Sequence, residues 1–383
     1  MQRAFRYRFY PTPEQESLLR RTLGCCRLVY NKALAARTEG FFQRGERISY
    51  AQTDRMLTAW KKDEELVFLN EVSSVPLQQA LRHLQTAFGN FWEKRTGYPT
   101  FKKKRGGGSA TYTRSAFRFR DGQIFLAKCS EPLPIRWSRQ LPEGAEPSSV
   151  VVSLHPSGRW HISLKVDDPT VQPLPPVERS IGLDMGISAL VTDSDGNTIA
   201  NPRTMDRLRK QMRRAQKALS RKVKGSNNRH KARTRVARLH ARMADIRQDN
   251  LHQLTTRLIG ENQTIVVEDL NIRGMVKNHS LARAINDASW SELIRQLSYK
   301  AEWYGRKLVK VDRFFPSSKT CSSCGHLLDK LPLQVRSWEC PSCGATHDRD
   351  HNAARNILAA GLAVQACGAS VRPNRQKAGR QER

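Results

Sequence analysis

Residues 180–190 read SIGLDMGISAL, and the reading of this stretch decides the rest. Ile181, Leu183, Met185 and Ile187 alternate as in a buried β-strand, with Asp184 set into its middle. An ionised carboxylate in such a place is costly unless it protonates, finds a partner or holds a cation. Two further acids keep similar company. Glu268 ends the apolar run TIVVED (Thr264–Asp269), and Asp350 opens the helix-like DHNAARNILAA. A lone acid at a strand end is usually a cap or an ion-pair partner. The joint setting points elsewhere: one acid mid-strand ahead of a meander, one on a later strand, one at the start of a late helix. Asp195, Asp269 and Asp348 compete for the role. Asp269 is expected to point away from Glu268, because successive strand side chains alternate faces. Spacing alone does not exclude Asp348.

Outward from the Asp184 strand, the turn Ser194-Asp195-Gly196-Asn197 leads to Thr198-Ile199-Ala200, predicting a hairpin meander. A long helical pair follows over 203–260, with stripes at Leu208, Met212, Ala215, Leu219 and at Val236, Leu239, Met243, Ile246, bent at Gly225–Asn228. Ser289 with Glu292 predicts a capping box for the next helix, and Leu308–Val311 a strand. Upstream, Asp168–Val177 carries Pro169, Pro173, Pro175 and Pro176, a stiff linker and the clearest boundary. Before it, Met1–Tyr10 alternates aromatics with arginines, and Thr12-Pro13-Glu14-Gln15 predicts a capping box. Helical patterning continues to Trp92. Hairpin signals then recur through Val166, and with the first strand they predict a small β-barrel interrupted by the helices.

Cys321-x2-Cys324, fifteen intervening residues and Cys340-x2-Cys343 have zinc-ribbon spacing, each pair followed by a glycine that lets the knuckle turn. Four thiolates leave no open position, so one structural Zn²⁺ is expected. His326 and His347 are expected to be bystanders. The remaining cysteines, Cys25, Cys26, Cys129 and Cys367, are read as reduced thiols. The start lacks a signal-peptide core and no run of 18 apolar residues occurs, so a cytoplasmic protein, nucleoid-associated when on DNA, is expected.

The 383 residues hold 66 Lys plus Arg against 35 Asp plus Glu, a net +31 that selects polyanionic partners. Between Arg203 and Arg247, 17 basic residues face only Asp206 and Asp245, so +15 falls in that span. A merely solvated surface favours mixed signs, because like charges at i,i+4 repel. Lys102, Lys103, Lys104, Arg213, Arg214, Arg221, Arg233 and Arg235 are the candidate nucleic-acid contacts. Aromatics are 7%, so backbone contact is expected to dominate over base stacking. A basic membrane-surface protein is disfavoured, because no long amphipathic Lys/Arg helix leads the chain.

The order of Asp184, Glu268 and Asp350 is similar to that in which RNase H-like folds supply ligands for two Mg²⁺ ions. GLDMGI (Gly182–Ile187), the basic helical pair, VVEDLN (Val266–Asn271), SKTCSSCG (Ser318–Gly325), CPSCG (Cys340–Gly344) and DRDHNAARNIL (Asp348–Leu358) together resemble TnpB, transposon-encoded RNA-guided DNA nucleases similar to compact type V CRISPR effectors. LVYNKAL (Leu28–Leu34) and YPTFKKK (Tyr98–Lys104) agree, so the resemblance spans about residues 1–360. It implies an α+β multidomain chain. A wedge-like β-barrel would be formed by 1–10 and 97–168, interrupted by a helical recognition insertion at 11–96. The linker would be 169–178. An RNase H-like (RuvC) nuclease domain would comprise 179–312 and 348–362, with a target-binding zinc ribbon at 313–347 and a disordered basic tail at 363–383. The resemblance further implies a guide RNA from the transposon end, double-stranded target DNA beside a short adjacent motif, and no protein or membrane partner. The rival readings are a guided binder that does not cut and a transposase of the same fold.

Overall fold

The computed structural model describes residues 1–367. It divides into two compact units, Met1–Thr170 with Lys222–Arg238, and Val171–Arg221 with the remainder. The main division falls inside the proline-rich stretch. The second division differs from the expected boundaries, since the tip of the basic helical pair groups with the first unit.

The first unit opens with β1 (Gln2–Phe9), followed by α1 (Pro13–Arg44), α2 (Tyr50–Trp60) and α3 (Ser74–Trp92). The Thr12 hydroxyl accepts from the Gln15 N–H at 3.3 Å while Gln15 Oε1 accepts from the Thr12 N–H at 3.2 Å, the expected box. Helix α1 ends at Gly45, whose φ of 68° is the left-handed cap. Its stripe of Leu19, Leu23, Cys26 and Tyr30 shares one core with Leu77, Leu81 and Leu84 of α3 and with Phe5, Tyr7 and Phe9 of β1. Next come β2 (Gly108–Thr113), β3 (Phe117–Arg120), β4 (Gln123–Leu126), β5 (Ile135–Arg136), β6 (Pro147–Leu154) and β7 (Trp160–Asp167). Four of them pair antiparallel with one another and with β1, in the order β2-β6-β7-β1-β5. The expected barrel is not closed by strand pairing. A 3-10 turn at Arg114–Ala116 breaks the chain out of β2, so β3 and β4 form a two-stranded sheet of their own.

The second unit carries β8 (Ser180–Asp184), β9 (Ala189–Asp193), β10 (Thr198–Ala200), α4 (Thr204–Ser220), α5 (Asn227–Glu261, whose start groups with the first unit) and β11 (Thr264–Glu268). After these come α6 (Ile272–Met275), α7 (Ala282–Ala288), α8 (Trp290–Tyr304), β12 (Lys307–Val311), β13 (Ser337–Glu339), β14 (Thr346–Asp348) and α9 (Arg349–Cys367). The main sheet runs β10-β9-β8-β11-β12, antiparallel through the meander and parallel from β8 to β12. Strand parity then separates two faces. Ile181, Leu183, Ile265 and Val267 enter a core with α5 and α8 residues such as Leu254, Leu258, Leu293 and Leu297. Val266 and Val311 pack on the other face against Ile357 of α9.

Helix α9 lies unusually close to that second face. A β-carbon on Gly182 would sit 2.2 Å from the Ala354 carbonyl oxygen, and one on Gly361 would sit 2.2 Å from Val266 Cγ1. Gly182 and Asp184 share a strand face, so the glycine that admits the helix also brings its first turn toward the acid.

One capping expectation fails. Ser289 has φ 56° and no side-chain cap bond, because it also terminates α7; its hydroxyl donates back to the Asn286 carbonyl. Glu292 pairs with Arg295 instead. Helix α9 continues to Cys367, so 363–367 are helical, and the rest of the tail lies outside the described residues. Among the described residues no helix is long and apolar enough to cross a membrane.

Candidate functional site

Parallel registration of β8 with β11 places Val267 beside Leu183, so the next step along each strand sets Glu268 beside Asp184. Both acids end their strands at the same edge of the sheet. Asp350 lies in the first turn of α9, where the close packing at Gly182 carries it. The Asp184 carboxyl is pushed up to about 7, first by burial and then by the charges of Glu268 and Asp350, against the pull of Arg349 and Arg336. Burial also raises Glu268, opposed by a hydrogen bond donated from Ser317 Oγ at 2.5 Å. Asp350 accepts from Arg336 Nη1 at 3.3 Å.

The competing acids have other duties. Asp348 Oδ1 accepts from the backbone N–H groups of Asp350 and His351 at 3.0 and 2.9 Å, which makes it the cap of α9. Asp269 pairs with Arg313 at 2.8 Å, and Asp195 pairs with Arg179.

The three acids therefore meet as a set of hard oxygen donors whose mutual repulsion a divalent cation would relieve. They are not drawn in as tightly as ligands of one ion. Among the described residues only Cys321, Cys324, Cys340 and Cys343 bring their ligand atoms within 4.8 Å of one another. That sulfur set suits tetrahedral zinc. Against the cost of burial, backbone N–H groups of Cys324 and Ser323 and the His347 ring bring Cys321 down to about 5. His347 stays outside the four-sulfur set, and its Nε2 lies 3.0 Å from Cys321 Sγ with its ring against Trp338. His326 is exposed.

Several residues with a part in the site escaped the sequence reading. Asn352 Nδ2 donates to the Thr320 carbonyl at 2.8 Å, and Asn352 Oδ1 accepts from Ser322 N–H. Asn356 Nδ2 donates to the carbonyls of Ser317 and Thr320 at 2.8 and 2.6 Å. One face of α9 thus grips the segment leading into the first cysteine knuckle, and the same segment supplies Ser317 to Glu268. His351 Nε2 lies 3.1 Å from the Ser194 carbonyl oxygen and fixes the meander turn. The only sequence signal was the pair of asparagines at i,i+4, since Asn is a poor helix-interior residue unless its amide has work elsewhere.

Of the candidate basic contacts, Lys103, Lys104, Arg213, Arg214, Arg221, Arg233 and Arg235 are exposed. Lys102 is exposed as well. Its backbone is clamped to the Asn31 side chain, and its Nζ lies 4.0 Å from the centre of the Tyr30 ring. Partial desolvation lowers its pKa. Arg213 joins Arg209, Lys210 and Arg283 in a basic recess around Asp206.

The raised Asp184 carboxyl has a measurable consequence. Its folded value lies above the unfolded one, so its contribution to stability is complete below about pH 4 and lost as pH rises through about 7. The loss amounts to roughly 4 kcal/mol at most in metal-free protein. Asp184→Asn should therefore raise the urea midpoint at pH 8 and leave it nearly unchanged at pH 4. Equal midpoints for the two proteins at pH 8 would contradict a charged, crowded Asp184.

Residues 161–279 match the OrfB_IS605 family, described as "Probable transposase". Residues 290–357 match the Cas12f1-like TNB domain, and 1–46 match an OrfB_IS605 helix-turn-helix domain. Over that last span the structure has one strand and one long helix. A protein of Streptomyces pristinaespiralis named "Putative RNA-guided DNA endonuclease" is 59% identical over 377 residues, covering 98% of this chain and 93% of its own. InsQ of Escherichia coli K12, of the same description, is 35% identical over 395 residues, covering 97% and 95%. Two solved structures share the fold. A Cas12f1-sgRNA-target DNA complex aligns with a TM-score of 0.56 at 16% identity, covering 91% of this chain and 83% of that one. The mini-RNA-guided endonuclease CRISPR-Cas_phi3 aligns at 0.51 and 10%, covering 94% and 92%.

Proposed function

Because this chain belongs to the TnpB (OrfB_IS605) family of RNA-guided DNA endonucleases, we propose that it cuts double-stranded DNA at sites chosen by a bound guide RNA. The observation that carries the reading is the crowding of Asp184 by Glu268 and Asp350 at one edge of the β8–β11 sheet. In this reading the second unit is an RNase H-like, RuvC-type nuclease domain and the three acids are its metal ligands. Two Mg²⁺ ions held there would supply a nucleophile at neutral pH and stabilise the leaving 3′ oxygen. Asp184 and Glu268 deliver their carboxylates from rigid adjacent strands, so little reorganisation is left for the reacting geometry. Asp350 arrives on a helix fixed by backbone contact, and Arg336 orients it.

The four cysteines would hold one structural Zn²⁺, making 313–347 a ribbon that meets target nucleic acid. The first unit would act as wedge and recognition lobes, holding a guide from the transposon end and reading the adjacent motif. Exposed arginines of the helical pair suit the backbone of a guide–target heteroduplex, whose sequence is read by base pairing. A cytoplasmic place of action follows from such substrates.

The test is direct. The protein is expressed with its native 3′ flank, bound RNA is sequenced, and the complex is given Mg²⁺ and plasmids bearing matched or scrambled targets beside a randomised motif. A discrete flank-derived RNA and cleavage of the matched plasmid alone are expected. Guided binding without any cut would leave a non-cleaving binder. Joining of transposon ends in a strand-transfer assay would favour the transposase reading that the family description raises.

A further inference from the structure

The low aromatic content of the chain hides a local concentration. In the first unit, the C-terminal parts of α1 and α3 enclose a cleft of about 770 Å³ lined by Phe41, Phe42, Phe88, Trp92 and Tyr98. The rings are ordered against one another. Phe88 and Trp92 stack with centroids 5.6 Å apart and planes 30° apart, and Tyr98 stands edge-on to Phe88 at 5.6 Å. The Tyr98 hydroxyl is tied to Thr38 Oγ1 at 2.9 Å. Behind them lies Arg37, only 8% exposed, its guanidinium 4.2 Å from the centre of the Phe88 ring and bonded to Gln85 Oε1 at 2.9 Å. The front is open: Trp92 is 58% exposed, Phe42 71% and Phe41 50%.

Leaving these rings in water forgoes burial that neighbouring apolar residues of the same helices obtain, and a rimmed apolar patch of this kind marks a binding surface. The charge setting selects the occupant. Arg47 lines the rim, and the acid there, Glu46, is paired with Arg44 at 3.0 Å. A chain with net charge +31 repels a second copy of itself and gathers polyanions. Flat rings backed by a guanidinium suit the π-face of a base, which any unpaired nucleotide presents. A duplex keeps its bases stacked inside and has no face to offer.

We propose that this cleft stacks unpaired nucleobases of a single-stranded nucleic acid, with Trp92 and Phe42 as the platforms. The site is separate from the carboxylates, and the proposal rests on nucleic-acid binding rather than on cutting.

The test uses the full-length chain and fluorescein-labelled ten-nucleotide strands of RNA and of DNA. They are compared with an abasic strand of equal length and equal phosphate number. Salt of about 0.5 M suppresses the phosphate contribution common to all probes. Wild type should bind the base-bearing strands at least about tenfold tighter than the abasic one. Trp92→Ala and Phe42→Ala should each remove most of that preference, and Trp92→Phe should keep it. Both side chains are largely exposed, so the variants should melt as wild type does. Equal binding of abasic and base-bearing strands by wild type overturns the proposal, as does full preference in both alanine variants. A concentration-dependent dimer in sedimentation that Trp92→Ala abolishes also overturns it and assigns the cleft to a second copy. If wild type binds no nucleic acid even at low salt, the guided-nuclease reading fails as well, so the two failures are distinguishable.

Discussion

Alanine at Asp184, Glu268 or Asp350 is expected to reduce guided cleavage by about a thousandfold or more, with guided DNA binding left within about twofold. The expected size follows from the placement. Each acid comes from a different element, so none of the remaining pair can move to replace the third. Losing one also changes the field at the others: without Glu268 or Asp350, the Asp184 carboxyl loses a neighbour that now raises it. The three losses should therefore not add, because the residues act as one charge set. Binding should persist because the candidate basic contacts, Arg213, Arg214, Arg233 and Arg235 among them, are exposed residues other than the acids. Gel-shift and plasmid-cleavage assays on the same preparations separate the two effects. A variant that cuts at the wild-type rate would remove its residue from the site.

Stripping zinc is the second large effect. Purified protein should carry about one zinc per chain, resistant to removal of Mg²⁺, and Cys340→Ser should lose both the metal and the cutting. In the proposed reading, order imposed by zinc would reach the acids by a short route. Asn352 and Asn356 hold the segment at Ser317–Thr320, and Ser317 donates to Glu268. If that route operates, Ser317→Ala should cut about tenfold more slowly and require more Mg²⁺, with zinc content unchanged. Ser317→Thr, which keeps the hydroxyl, should recover most of the rate. Zinc-free protein that cuts normally would overturn the ribbon assignment, and an unchanged Mg²⁺ requirement in Ser317→Ala would break the link to Glu268.

The parts legible from sequence were those written in local spacing. Alternation at Ile181–Ile187, the Thr12–Gln15 box, the turn at Ser194–Asn197 and the paired cysteines each involve residues a few positions apart, where strand and turn geometry leave few options. The Ser289 box failed for a related reason: local pattern cannot register that the same residue already ends the preceding helix.

Alone, the chain's letters determined most element types and the family, and singled out the three acids, the four cysteines and the surplus of positive charge as candidates. Only the tertiary structure decided which acids meet and what orients them. Parallel registration of β8 with β11 sets Asp184 beside Glu268, and two glycines let α9 approach closely enough to add Asp350. It also gathered scattered aromatics into one cleft. Such pairings join residues tens to more than a hundred positions apart, and their selection rests on packing and hydrogen bonding that no short window of sequence contains.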